Sequence, residues 1–176
     1  MVYFGKPGVN INLQPGYSSS ELREFNRPNK TYIQPKSAIM PTIKRIDHIA
    51  VVIEDVEAAL GFWRDALGIP YSHTEDVPAE GSQVFFLPIG DSEIELVKPT
   101  TSDSGLARYL EKRGPGMHHI CLEVDDIQAM LSRLKEKGVQ LIQEVPSVGI
   151  GGRKYAFIHP KSSNGVLVEL YELPPE

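Results

Sequence analysis

The sequence predicts an α+β fold in which two tandem βαβββ modules form one curled mixed sheet around a cleft. Three observations carry this reading. A stretch of residues near position 48 recurs 71 positions later. Each copy opens on a strand rich in β-branched residues that runs into a helical apolar pattern. Each copy then closes on three shorter apolar runs bounded by turn residues.

The repeat sets Asp47-His48-Ile49-Ala50-Val51-Val52 against His118-His119-Ile120-Cys121-Leu122-Glu123, at an offset of 71 (119 − 48). Phe86-Leu87 and Phe157-Ile158 keep that offset. Ile94-Glu95-Leu96 meets Val168-Glu169-Leu170 at 74 (169 − 95), a three-residue insertion in the second copy. Like positions recurring on like strands indicate a duplicated unit.

The elements follow in order. A first strand spans about 45–53, and Asp55 supplies the N-cap of a helix. Val56, Ala59, Leu60, Trp63 and Leu67 recur at helical spacing until Gly68 stops the helix. Strands are expected near 70–76, 83–89 and 92–98, the last two joined by a hairpin at Gly90-Asp91. The linker carries a short helix around Leu106, Ala107, Tyr109 and Leu110. The second copy gives a strand at 117–124 and an N-cap at Asp125 or Asp126. Its helix runs through Ile127, Met130, Leu131 and Leu134 to Gly138, followed by strands near 139–144, 154–159 and 166–171. Module one therefore covers 43–99, the linker 100–116 and module two 117–172, within one domain of residues 43–176.

Residues 1–42 follow no sustained period and are interrupted by Pro7, Pro15, Pro28 and Pro35. They read as an irregular N-terminal arm: a docking arm, a weak targeting segment, or upstream codons joined to a chain that starts at Met40. A length of 176 residues suits one compact domain. The net charge of −5 excludes a polyanion-binding surface, so nucleic acid is not an expected partner. No apolar run is long enough to span a bilayer, so no membrane partner is expected. The single cysteine, Cys121, forbids an intrachain disulfide and fits a reducing compartment. A cytoplasmic location is expected, or the mitochondrial matrix in a eukaryote.

Strand alternation selects the side chains that face the cleft. The helix needs Ile49, Val51 and Ile53, which turns His48, Ala50 and Val52 the other way. In the second copy Ile120, Leu122 and Val124 lie under the helix, so His119, Cys121 and Glu123 face the cleft. His118 is then expected to point toward the helix layer or the strand's edge. Glu95 opposes Ile94 and Leu96, and Glu169 opposes Val168 and Leu170, so both carboxylates face inward. Two His–Glu pairs from equivalent positions form a metal-ligand set: His48, Glu95, His119 and Glu169. Unpaired buried carboxylates are costly, and a divalent ion compensates all four groups at once. Imidazole with carboxylate favours Co²⁺, Zn²⁺, Ni²⁺, Mn²⁺ or Fe²⁺ over Ca²⁺ or Mg²⁺. His73 and Cys121 are read as structural residues, Cys121 as a small buried core side chain.

The pattern resembles the vicinal oxygen chelate superfamily over about Ile43 to Glu172, and within it the methylmalonyl-CoA epimerases. The residues that carry the resemblance are Ile46-Asp47-His48-Ile49-Ala50, Glu93-Ile94-Glu95-Leu96, Gly116-Met117-His118-His119-Ile120, Phe157-Ile158-His159-Pro160-Lys161 and Gly165-Val166-Leu167-Val168-Glu169-Leu170. The resemblance implies the same four ligands, an acyl-CoA substrate and a homodimer. It also implies epimerisation of (R)- and (S)-methylmalonyl-CoA by α-proton abstraction through a metal-chelated enolate. Inversion needs acid–base groups on two sides of the α-carbon. Glu95 and Glu169 are the expected catalytic pair, with Glu123 as a further candidate. Some epimerases carry Gln at the position of Glu95 and Glu at that of Val84, which here cannot act as a base. Lys161, Arg153 and the Gly149–Gly152 loop are expected near CoA phosphates. The alternatives are a glyoxalase I-type lyase acting on a hemithioacetal and a non-catalytic small-molecule binder.

Overall fold

The computed structural model describes residues 40–175. Most of the arm expected at 1–42 lies outside the described residues. The eight strands are β1 (Ile43–Val52), β2 (His73–Val77), β3 (Ser82–Ile89), β4 (Ser92–Pro99), β5 (Gly116–Val124), β6 (Ser147–Val148), β7 (Lys154–Ile158) and β8 (Leu167–Glu172). They form one sheet in the order β2-β3-β4-β1-β5-β8-β7-β6. β1 pairs parallel with β4, and β5 pairs parallel with β8. β1 and β5 pair antiparallel at the centre and join the two halves. The sheet is the curled mixed sheet expected from the duplication.

Each half is covered by a helix with a built start. Asp55 Oδ1 accepts from Ala58 N at 3.0 Å and opens α1 (Val56–Leu60). From Gly61 to Ala66 this helix continues with π-helical bonding, where the sequence had indicated ordinary α-helical spacing through Leu67. α2 (Gly105–Arg113) occupies the linker, and α3 (Ile127–Glu136) is capped by Asp126, whose Oδ1 accepts from Ala129 N at 2.9 Å. Gly138 ends the second repeat helix at a φ of 74°, a conformation that a side chain would strain.

Two apolar clusters lie between sheet and helices. Leu60 of α1 is buried against Ile53, Phe85, Leu87, Ile94 and Leu96, with Ile49 and Val51 packed against them. Ile127, Met130 and Leu131 of α3 are buried against Val124, Ile158 and Leu170 of the sheet. A third cluster of Ala50, Val84, Phe86 and Val97 lines the opposite sheet face, with Leu106 of α2 packed on it.

The strand indicated at 139–144 is not formed. The segment runs beside β7, with Ile142 N donating to Phe157 O and His159 N to Gln140 O. Just beyond these bonds the Gln143 side chain accepts from Phe157 N at 2.8 Å and replaces the backbone carbonyl a continuing ladder would need. Only an isolated bridge at Leu141 and the two-residue β6 remain.

Candidate metal centre

His48 on β1 and His119 on β5 meet at the central strand pair, and Glu169 enters from β8 beside β5. All three are buried. His48 Nε2 stands 3.0 Å from His119 Nε2 and 3.5 Å from Glu169 Oε2, and His119 Nε2 is 2.9 Å from Glu169 Oε2. Donors about 2.0–2.2 Å from a shared ion, at angles between 90° and tetrahedral, stand roughly 2.8–3.6 Å apart. The triangle therefore has the dimensions of adjacent ligands. Its chemistry agrees: two imidazole nitrogens face each other, and their lone pairs repel unless a proton or a cation lies between them.

Glu95 is not in this triangle. Its Oε1 lies 3.4 Å from Nδ1 of His48, on the other side of the ring. The structure thus brings together three of the four ligands expected from alternation and leaves the fourth flanking them. Environment separates the two glutamates. Burial pushes the Glu95 carboxyl up to about 7, with the neighbouring carboxylates of Glu169, Glu93 and Asp47 acting in the same direction against His48. Burial acts on Glu169 too, yet the hydrogen bonds from His119 and His48 outweigh it and hold that carboxyl down at about 2. Burial alone would neutralise His48, but Asp47, Cys121 and Glu169 reverse this and raise its pKa.

Other expected residues fall as follows. Glu123 is buried but engaged, taking Arg45 Nε at 2.7 Å and Lys44 Nζ at 3.1 Å, so it is not available as a base. Cys121 is fully buried beside His48, and burial pushes its thiol up to about 12, which keeps it a neutral thiol. Val84 is a buried aliphatic on the cleft face. His73 stacks on Phe86 with ring centroids 4.4 Å apart, and His159 Nδ1 accepts from Lys161 N at 3.1 Å. Arg153 lies over the Tyr171 ring at 5.6 Å, and both Arg153 and Lys161 are exposed.

Alternation missed Asp47 and misplaced His118. Asp47 Oδ2 accepts from His48 Nδ1 at 3.0 Å, and His118 Nδ1 stands 2.9 Å from His119 Nδ1. The available signal was the repeat itself, which aligns Asp47 with His118 as the polar residue before each inward histidine. Two groups outside the triangle, Glu80 and Tyr155, are also perturbed. Glu80 is an exposed residue in the turn between β2 and β3, and its pKa is raised by partial desolvation of the carboxyl and then by the charge of Glu169. Tyr155 on β7 is raised by burial and then by Glu80.

A family profile described as the Glyoxalase/Bleomycin resistance protein/Dioxygenase superfamily matches residues 47–157. Over 149 residues the chain is 37% identical to the mitochondrial methylmalonyl-CoA epimerase of Mus musculus, an alignment covering 84% of this chain and 83% of the mouse protein. The chain belongs to the methylmalonyl-CoA epimerase family of this superfamily. A second family member, the ethylmalonyl-CoA/methylmalonyl-CoA epimerase of Cereibacter sphaeroides, is 40% identical over 133 residues, which are 74% of this chain and 99% of that one. The fold agrees with solved methylmalonyl-CoA epimerases. A Streptomyces coelicolor variant in complex with 2-nitronate-propionyl-CoA superposes with a TM-score of 0.70 at 34% identity, covering 75% of this chain and 96% of that one.

Proposed function

We propose that this chain is a metal-dependent epimerase that interconverts (R)- and (S)-methylmalonyl-CoA by removing and returning the α-proton. The observation that carries the reading is the buried convergence of His48 Nε2, His119 Nε2 and Glu169 Oε2, in a chain 37% identical to an epimerase of that name. These three residues would hold a borderline divalent ion such as Co²⁺, Zn²⁺, Ni²⁺ or Mn²⁺. Bound there, the ion supplies Lewis-acid stabilisation of the negative charge that develops on the thioester oxygen as the α-proton leaves.

Glu95 is assigned the proton transfer on one side. Its carboxyl flanks the triangle, and burial brings its affinity for a proton near that of neutral solution. It can join the ligand set only by moving its carboxyl around the His48 ring. Glu169, whose Oε2 lies against both imidazoles, is a ligand by position and keeps its second expected role as a candidate for proton transfer on the other side. Glu80, exposed in the turn between β2 and β3 with its charge felt by Glu169, is a further candidate for that side. Arg153 and Lys161 would meet the phosphates of CoA.

Among the described residues no helix is long and apolar enough to cross a membrane. The mitochondrial and bacterial relatives support a matrix or cytoplasmic location, and the family resemblance supports a homodimer. Cell fractionation and light scattering test these two points.

The deciding assay follows the α-proton of methylmalonyl-CoA in D₂O with Co²⁺- or Zn²⁺-loaded protein. Exchange is expected, accompanied by inversion. Absence of exchange, together with turnover of a thiol hemithioacetal, would replace this reading by the lyase.

A further inference from the structure

The antiparallel register between β1 and β5 slips at two places inside the site. Ile46 pairs with Leu122 and His48 with Cys121, so Asp47 has no partner. Ala50 pairs with His119 and Val51 with Met117, so His118 has none. Each is the extra residue of a β-bulge, a device that lets two consecutive side chains act on one side of a strand. The two bulges occupy equivalent positions of the repeat, at an offset of 71 (118 − 47), and each immediately precedes a histidine of the triangle. Each bulge side chain meets Nδ1 of that next histidine: Asp47 Oδ2 at 3.0 Å from His48, His118 Nδ1 at 2.9 Å from His119.

We infer that Asp47 and His118 are positioning residues that fix Nδ1–H on His48 and His119, so that both Nε2 lone pairs point into the metal site. An imidazole ligating through Nε2 carries its proton on Nδ1, and that proton needs an acceptor in a buried site. Asp47 supplies a carboxylate oxygen. It is itself held by Arg45, whose Nε is bound by Glu123 at 2.7 Å. His118 supplies a ring nitrogen, which must then be bare, so its own proton sits on Nε2. The ring of Tyr109 packs edge-on against His118 at 4.8 Å and keeps it in place. The duplication thus repeats the device but not its charge. An anionic acceptor strengthens a ligand imidazole more than a neutral one, so His48 is the stronger of the two donors.

This presupposes the metal site proposed above, and zinc alone serves as the probe. On the zinc-loaded wild type, ¹⁵N-edited NMR of the imidazoles should show Nδ1 protonated and Nε2 ligated in both rings. Competition with a chromophoric chelator should show zinc binding weakened roughly 10- to 100-fold in Asp47→Ala, and less in His118→Phe. Asp47→Asn and His118→Gln, which keep an acceptor, should recover part of the loss. Zinc ligated through Nδ1 of either ring overturns the inference without any variant being needed. So do folded Asp47→Ala and His118→Phe proteins that bind zinc within twofold of wild type. A wild type that takes up no zinc overturns the metal site itself and the inference with it, which separates the two failures.

Discussion

Phe86 on β3 pairs directly with Glu95 on β4, which places position 84, two residues before Phe86, diagonal to Glu95 on the cleft face. Val84 and Glu95 are therefore neighbours across the same patch of sheet, within reach of one another's side chains. Val84 is buried among Ala50, Phe86 and Val97, and Glu95 is the carboxylate of this patch.

The proton-transfer role proposed for Glu95 predicts a rescue from the neighbouring position. Glu95→Gln should lower the rate of α-proton exchange by about 10²–10⁴-fold, the usual contribution of a positioned base. Zinc or cobalt affinity should change much less, because His48, His119 and Glu169 remain. Adding Val84→Glu to that variant should restore a large part of the exchange. A single variant that keeps wild-type exchange would remove Glu95 from proton transfer.

Loss of the triangle predicts loss of both metal and stability gain. Saturating metal at about 100 times its dissociation constant stabilises the folded state by about 2.7 kcal/mol, since only the folded chain presents the three donors. Thermal scans should show the melting temperature rising with added Zn²⁺ for wild type. His119→Ala should abolish that rise. Chelator treatment of wild type should abolish α-proton exchange, and added metal should return it.

Much of this site is legible in the sequence because two simple periodicities agree. The apolar runs at Ile49, Val51 and Ile53 and at Leu122 and Val124 lie beneath the helices, and that alone turns His48 and His119 inward. Alternation fails where the strand stops alternating. Asp47 and His118 are bulge residues, and period-two reasoning assigns the side chain of a bulge residue to the wrong side. It also cannot rank Glu95 against Glu169, since both face inward and only the distances to the imidazoles tell them apart. The strand indicated at 139–144 fails for a third reason. Its apolar residues Val139 and Leu141 pack against the cluster beneath α3 without completing a ladder, because Gln143 takes the bond.

Glu123 sets a pH-dependent term in stability. Although burial opposes it, hydrogen bonds from Lys44 and Arg45 hold its carboxyl below the usual carboxylate range. A depressed folded-state pKa stabilises the fold above the unfolded pKa of about 4.3, and the contribution disappears as pH falls through the folded value. With both cations partly exposed, its size is about 1–2 kcal/mol. Urea titrations should find Glu123→Gln less stable than wild type by that amount at pH 7, with the gap narrowing below pH 4. A gap that persists unchanged at pH 2–3 would assign the loss to packing instead of charge.

Cys121 should be inert in the folded protein despite lying against His48. It is fully buried, and burial pushes its thiol up to about 12, so almost no thiolate exists near neutral pH. A cysteine that ligated the ion would be deprotonated, and it would be protected by metal and exposed by its removal. Iodoacetamide labelling separates the cases. Labelling should be slow in the native protein, equally slow after chelation, and complete within minutes in 6 M guanidinium chloride. Rapid labelling on chelation alone would bring Cys121 into the ligand set beside His48.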